Sequence, residues 1–188
     1  TADGRSLCVT YHQFTNIADC VFESLSVLNN PVTYQKQRGV AITSVDDTSV
    51  GYIRGCHFLD NTFYGGDEAV WNCAFGVAIH ANIAFIEDCV FIDNYLIMCN
   101  AIDEYPSNII TTFSTTRITN SYFSNPDVFP YWHFSFEAPV VFESCTFEGF
   151  SNQQEAFVRT SSITNLNFVA CTFVNWEVLN TNCFLPST

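Results

Sequence analysis

Apolar positions recur along this chain with a spacing that is neither helical nor strictly alternating. In "IRGCHFLDN" from Ile53 and "IEDCVFIDN" from Ile86, an apolar residue leads, a cysteine follows, and a phenylalanine stands just beyond it. The pattern returns in "IADCVFESL" from Ile17, "ITNSYFSNP" from Ile118, "FESCTFEGF" from Phe142 and "FVACTFVNW" from Phe168, with Ser121 replacing the cysteine in the fourth copy. The phenylalanines are Phe22, Phe58, Phe91, Phe123, Phe147 and Phe173, so successive copies are 36, 33, 32, 24 and 26 residues apart. A motif repeated at this period predicts stacked units, each unable to bury its apolar face alone.

Within each copy the cysteine and phenylalanine are two residues apart, so on a strand they share one face. The residues between them, Val21, His57, Val90, Tyr122, Thr146 and Thr172, are mixed as an outer face is. Cys20, Cys56, Cys89, Cys145 and Cys171 and the six phenylalanines are therefore expected to point inward. The leading Ile or Phe is out of step with that alternation, so the chain must bend before the cysteine. Asp19, Gly55, Asp88, Asn120 and Ser144 stand there, all turn formers, with Ala170 the exception. Further apolar runs, such as "RGVAITSV" from Arg38 and "FGVAIHANI" from Phe75, precede each later copy as another side would. The pattern predicts one all-β domain over 1–188, a right-handed parallel β-helix of about six rungs with Cys and Phe ladders inside. An antiparallel sandwich gives no reason for identical residues at equivalent places.

The chain has 188 residues, 48% of them apolar and 19 of them Phe, which is enough for a sizeable core. Nineteen acidic residues against six basic ones leave a net charge of −13, which disfavours nucleic acid as a partner. No apolar run is long enough for a spanning helix and no basic stretch precedes an apolar one, so neither membrane insertion nor a leader is expected. Nine cysteines without a C-x-x-C spacing argue against a zinc module, and no metal or other cofactor is expected. Cys8, Cys73, Cys99 and Cys183 stand off the repeat and read as fillers, with pairing among them left open.

The I-x-(D/N/G/S)-C-x-F-x-x-N pattern resembles the repeats of the right-handed parallel β-helix superfamily, which includes pectate lyases, polygalacturonases and phage tailspikes. "CHFLDN", "CVFIDN" and "YFSN" are also similar to the F-x-x-N elements of chlamydial polymorphic outer-membrane proteins, while "GGDEAV" and "GVAI" only echo their G-G-A-I partner. The resemblance extends from Ile17 to about Val178. It implies a fold that hosts enzymes, adhesins and fibres alike. Polygalacturonases carry N-T-D, G-H-G and R-I-K elements, and none is present here. Asp46, Asp47, Asp67 and Glu68 then read as solvated carboxylates. Arg54 and Arg117 are read as one repeat position beside Glu87, a surface charge ladder.

The aromatic stretch "VFPYWHFSF" places Phe129, Tyr131, Trp132 and His133 where a loop should leave the fourth repeat, and Tyr64 and Trp71 are similar candidates for binding or interface contacts. A six-rung solenoid also has two open ends, and no amphipathic helix is evident before Ile17 or in "LNTNCFLPST". The expected function is therefore non-enzymatic: a structural or adhesive protein that packs with copies of itself or with other structural proteins. The expected setting is extracellular, at a cell surface, or in a virion. The alternative is a protein that binds or degrades polysaccharide.

Overall fold

The computed structural model describes residues 9–11, 15–28, 41–44, 50–64, 76–97, 107–111, 115–124, 134–136, 138–149, 151–152, 158–160, 165–178 and 184–186. Among the described residues the secondary structure is entirely β, in short strands. Every strand pairing among them is parallel. The sheets are open rather than closed on themselves.

Each copy of the repeat contributes adjacent strands to different sheets. Its first half supplies a six-stranded sheet made of Thr15–Ala18, Gly51–Arg54, Ile83–Glu87, Thr116–Thr119, Val140–Glu143 and Leu166–Val169. Its second half supplies another, made of Val21–Glu23, His57–Leu59, Val90–Ile92, Tyr122–Ser124, Thr146–Glu148 and Thr172–Val174. The intervening apolar runs lie in a seven-stranded sheet, which Val9–Tyr11 and Phe184–Pro186 flank at its two edges. Strand order in all three follows chain order.

The register sets equivalent residues side by side. Ile17, Ile53, Ile86, Ile118, Phe142 and Phe168 are successive partners in the first sheet. Phe22, Phe58, Phe91, Phe123, Phe147 and Phe173 are successive partners in the second. Their rings stack at centroid distances of 4.9, 4.7, 4.8, 5.3 and 5.0 Å, close to the spacing between strands. Phe134, from the seven-stranded sheet, meets Phe123 edge-on at 5.1 Å. Ala41, Ile42, Ala78 and Ile79 join the same buried cluster, so all three sheets contribute to one core.

The bend within the repeat has one backbone solution throughout. Asp19, Gly55, Asp88, Asn120, Ser144 and Ala170 all have φ between 48° and 59°, the left-handed region. Ala170 adopts it without the help that a short polar side chain or a glycine provides. A second left-handed corner, which the apolar pattern does not announce, follows the phenylalanine at Ser24, Asp60, Asp93, Gly149 and Asn175. Interstrand pairing runs through the first corner without interruption. The Asp19 N–H donates to the Arg54 carbonyl at 3.0 Å, that of Gly55 to Glu87 at 2.9 Å and that of Asp88 to Thr119 at 3.1 Å.

Candidate functional site

The chemistry of the described residues divides into an interior column of small polar groups and an outer face bearing charges and aromatics. The interior column begins at the first corner. There the chain turns so that the N–H of the cysteine points inward, and the next copy must offer it an acceptor. The Cys56 sulfur receives a hydrogen bond from the Cys20 main chain, and the Cys89 sulfur receives one from the Cys56 main chain. Each thiol in turn donates to the carbonyl two residues before it, as Cys56 Sγ does to Arg54 at 3.3 Å and Cys89 Sγ to Glu87 at 3.2 Å. Ser121 plays both parts: its Oγ accepts from the Cys89 N–H at 3.1 Å and donates to the Thr119 carbonyl at 2.8 Å. The position thus calls for a small side chain that can both give and take a hydrogen bond.

At the second corner asparagine does the same work. Asn61 and Asn94 are buried. Asn61 Nδ2 donates to the Phe22 carbonyl at 3.0 Å and to Asn94 Oδ1 at 2.8 Å, while Asn61 Oδ1 accepts from the Leu25 N–H at 3.2 Å. Asn94 Nδ2 reaches the Phe58 carbonyl at 3.1 Å. The final Asn of F-x-x-N is therefore an interior bridge between repeats. Its signal in the sequence is the motif itself.

Cys56, Cys89 and Cys145 are buried, and Cys20 and Cys171, in the outermost copies, are half-buried. All five are free thiols. Burial pushes the Cys145 thiol up to about 12 from its ordinary 9.0. In the Cys56–Cys89 pair, the neighbouring Cys89 thiol pulls Cys56 below the ordinary thiol range, while Cys56 and burial hold Cys89 well above it. Phe22, Phe58, Phe91, Phe123 and Phe147 are buried, whereas Phe173, in the last copy, is 39% exposed.

The outer face of the first six-stranded sheet holds a groove of about 620 Å³. Two columns of outward side chains run across this face, and part of each lines the groove. One runs through Asn16, Tyr52, Phe85, Arg117, Val141 and Asn167, and the other through Ala18, Arg54, Glu87, Thr119, Glu143 and Val169. Tyr52 and Phe85 stack at 5.3 Å. Beside them Arg54 lies 3.8 Å from Glu87, and Arg117 pairs with Glu143. Phe85 and Val169 remain 41% and 49% exposed, high for large apolar groups on an ordered sheet.

This corrects the sequence reading of the charges. Arg54 follows the leading Ile and pairs in register with Glu87, whereas Arg117 precedes it and pairs in register with Phe85, so the two arginines stand in neighbouring columns. Phe85 immediately precedes the leading Ile86, as Tyr52 precedes Ile53, and so stands in the outward column, while the bulge between Ile83 and Phe85 leaves Ile83 buried.

Of the residues singled out for binding, Phe129, Tyr131, Trp132, His133 and Trp71 lie outside the described residues, as do Asp46, Asp47, Asp67 and Glu68. Tyr64 ends a strand, Thr62–Tyr64, but its side chain is outside the described set. Cys8, Cys73, Cys99 and Cys183 are likewise outside it. Compared with protein-family models, curated proteins and solved structures, the chain matches none.

Proposed function

We propose that this chain is a right-handed parallel β-helix that acts as a structural or adhesive protein, through surface contacts with copies of itself or other structural proteins rather than through turnover. The parallel sheets with strand order equal to chain order support the coil. The hand follows from the ~98% preference of parallel crossovers for the right-handed form. The observation that carries the function is the outer face of the first sheet, where Phe85 and Val169 stay exposed among paired charges. Apolar groups held on a rigid surface and rimmed by polar ones are the makings of a contact face.

Sedimentation velocity over a wide concentration range tests this reading. Concentration-dependent association is the expected result, and a monomer at every concentration would refute contact with copies of itself. A second reading, polysaccharide binding, is favoured by the groove itself, since Tyr52 and Phe85 offer aromatic surface beside the hydrogen-bonding groups of Arg54, Glu87 and Glu143. Retention on a polysaccharide panel, lost in Phe85→Ala, would favour that reading over the first.

A further inference from the structure

Taken across its two columns, the outer face carries one charged residue of alternating sign on each of its four central strands. Arg54 stands on the second strand of the sheet, Glu87 on the third, Arg117 on the fourth and Glu143 on the fifth. Turned end for end, the column that carries Arg54 on its second strand and Glu143 on its fifth sets these two opposite charges against each other. The chain as a whole has a net charge of −13, so two copies repel unless they meet through a face whose charges balance. The two arginines and two glutamates of this face do balance.

Building on the proposal that the protein acts through contacts with copies of itself, we infer that this face is the interface with a second copy. The two sheets pack face to face with their stacking directions opposed. The two-fold axis runs parallel to the strands, between the third and fourth. Such an axis keeps each column opposite itself and reverses its order. Arg54 then faces Glu143 of the second copy, and Glu87 faces Thr119 with Arg117 beside it. In the other column Phe85 faces Arg117, where a guanidinium can cover the ring, and Tyr52 faces Val141. At the margins Ala18 meets Val169 and Asn16 meets Asn167. Each apposition joins opposite charges, apolar groups, hydrogen-bonding groups or a cation and a ring.

Competing arrangements lack this match. Slipping the register by one strand sets Glu87 against Glu143, and slipping it the other way sets Glu87 against itself. An axis along the stacking direction exchanges the columns and places Glu87 against Phe85 and Glu143 against Val141. The pattern therefore selects one register by penalising its neighbours. Six strands about 4.8 Å apart, each presenting four residues of about 3.3 Å, offer roughly 400 Å² per copy, about half of a standard stable interface. The dimer is accordingly weak and forms at high protein concentration.

The test uses Arg54→Glu and Glu143→Arg, each made singly, with folding verified by far-UV circular dichroism. Both side chains reach solvent, Arg54 at 68% and Glu143 at 36%. Alone, each variant places two like-charge contacts in the dimer, and sedimentation should show dissociation at least about tenfold easier than in the wild type. Mixed in equal amounts, the two variants form a heterodimer in which every such contact is again opposite in sign, and association should return. Repair within one chain cannot explain that return, because Arg54 pairs internally with Glu87 and Glu143 with Arg117. Single variants that associate as well as the wild type would overturn this interface and leave assembly through another surface standing. Weakened single variants whose mixture stays dissociated would overturn the register. A wild type that is monomeric throughout would overturn both the interface and the self-contact on which it rests.

Discussion

Ser121 shows how narrow the demand at a single interior position is. Its hydroxyl answers two main-chain groups at once, the Cys89 N–H and the Thr119 carbonyl, in a site only 2% exposed. Ser121→Ala leaves the Cys89 N–H without its acceptor, while the Thr119 carbonyl keeps the Asp88 N–H, and a buried group deprived of its hydrogen bond costs about 1–3 kcal/mol. Ser121→Cys restores the column's own solution. Chemical denaturation should therefore show a loss of that order for Ser121→Ala and a much smaller change for Ser121→Cys. Equal losses would mean that volume rather than hydrogen bonding decides the position. The recurrence of cysteine was legible in the sequence as a packing position. Its hydrogen-bonding duty was not, because the N–H it serves belongs to a different repeat, 32 residues away in the case of Ser121 and Cys89.

On the scale of strands, the phenylalanine column is the element that couples one repeat to the next. Phe91 lies in its middle, stacked on Phe58 at 4.7 Å and on Phe123 at 4.8 Å, and has no exposed surface. Phe91→Ala removes both stacks and leaves a cavity between repeats that rigid strands on either side cannot close, for which about 3–5 kcal/mol is the usual cost. Phe173→Ala, at the 39% exposed end of the column, should cost distinctly less. Urea unfolding of the two variants checks the order, and an equal cost would mean that the column does not act as a continuous stack. The first corner was readable from Asp, Gly, Asn and Ser at one place in the repeat. The second was not, because the residues that occupy it also suit an ordinary exposed loop.

For the whole molecule, the stacked thiols make stability depend on alkaline pH. A thiol whose folded value is raised keeps its proton in the folded state where the unfolded chain has lost it, so its contribution is complete below the ordinary value of 9.0 and is lost as pH rises toward the folded value. For Cys145 that window runs from 9.0 to about 12, and Cys89 and Cys20 shift in the same direction. Cys56 is lowered, so its own effect, a gain in stability with rising pH, lies below 9.0 and leaves this window to the raised thiols. The melting temperature should fall between pH 9 and 11, with a loss on the order of a few kcal/mol. Cys145→Ser should flatten that fall. A melting temperature independent of pH across this range would show that the thiols are not held protonated by the fold.

By itself the sequence determined what is periodic: parallel stacking, the identity of the columns and the inward face all follow from residues that recur, since a repeated side chain can satisfy itself only by lying against its own copy. The tertiary structure decided what depends on register between strands far apart in the chain. It showed which N–H each cysteine serves and how Asn61 and Asn94 bridge their neighbours. It also showed that Tyr52 stacks on Phe85 and which carboxylate each of Arg54 and Arg117 meets. These are relations between neighbours in space whose residues differ in type, so no recurrence along the chain marks them.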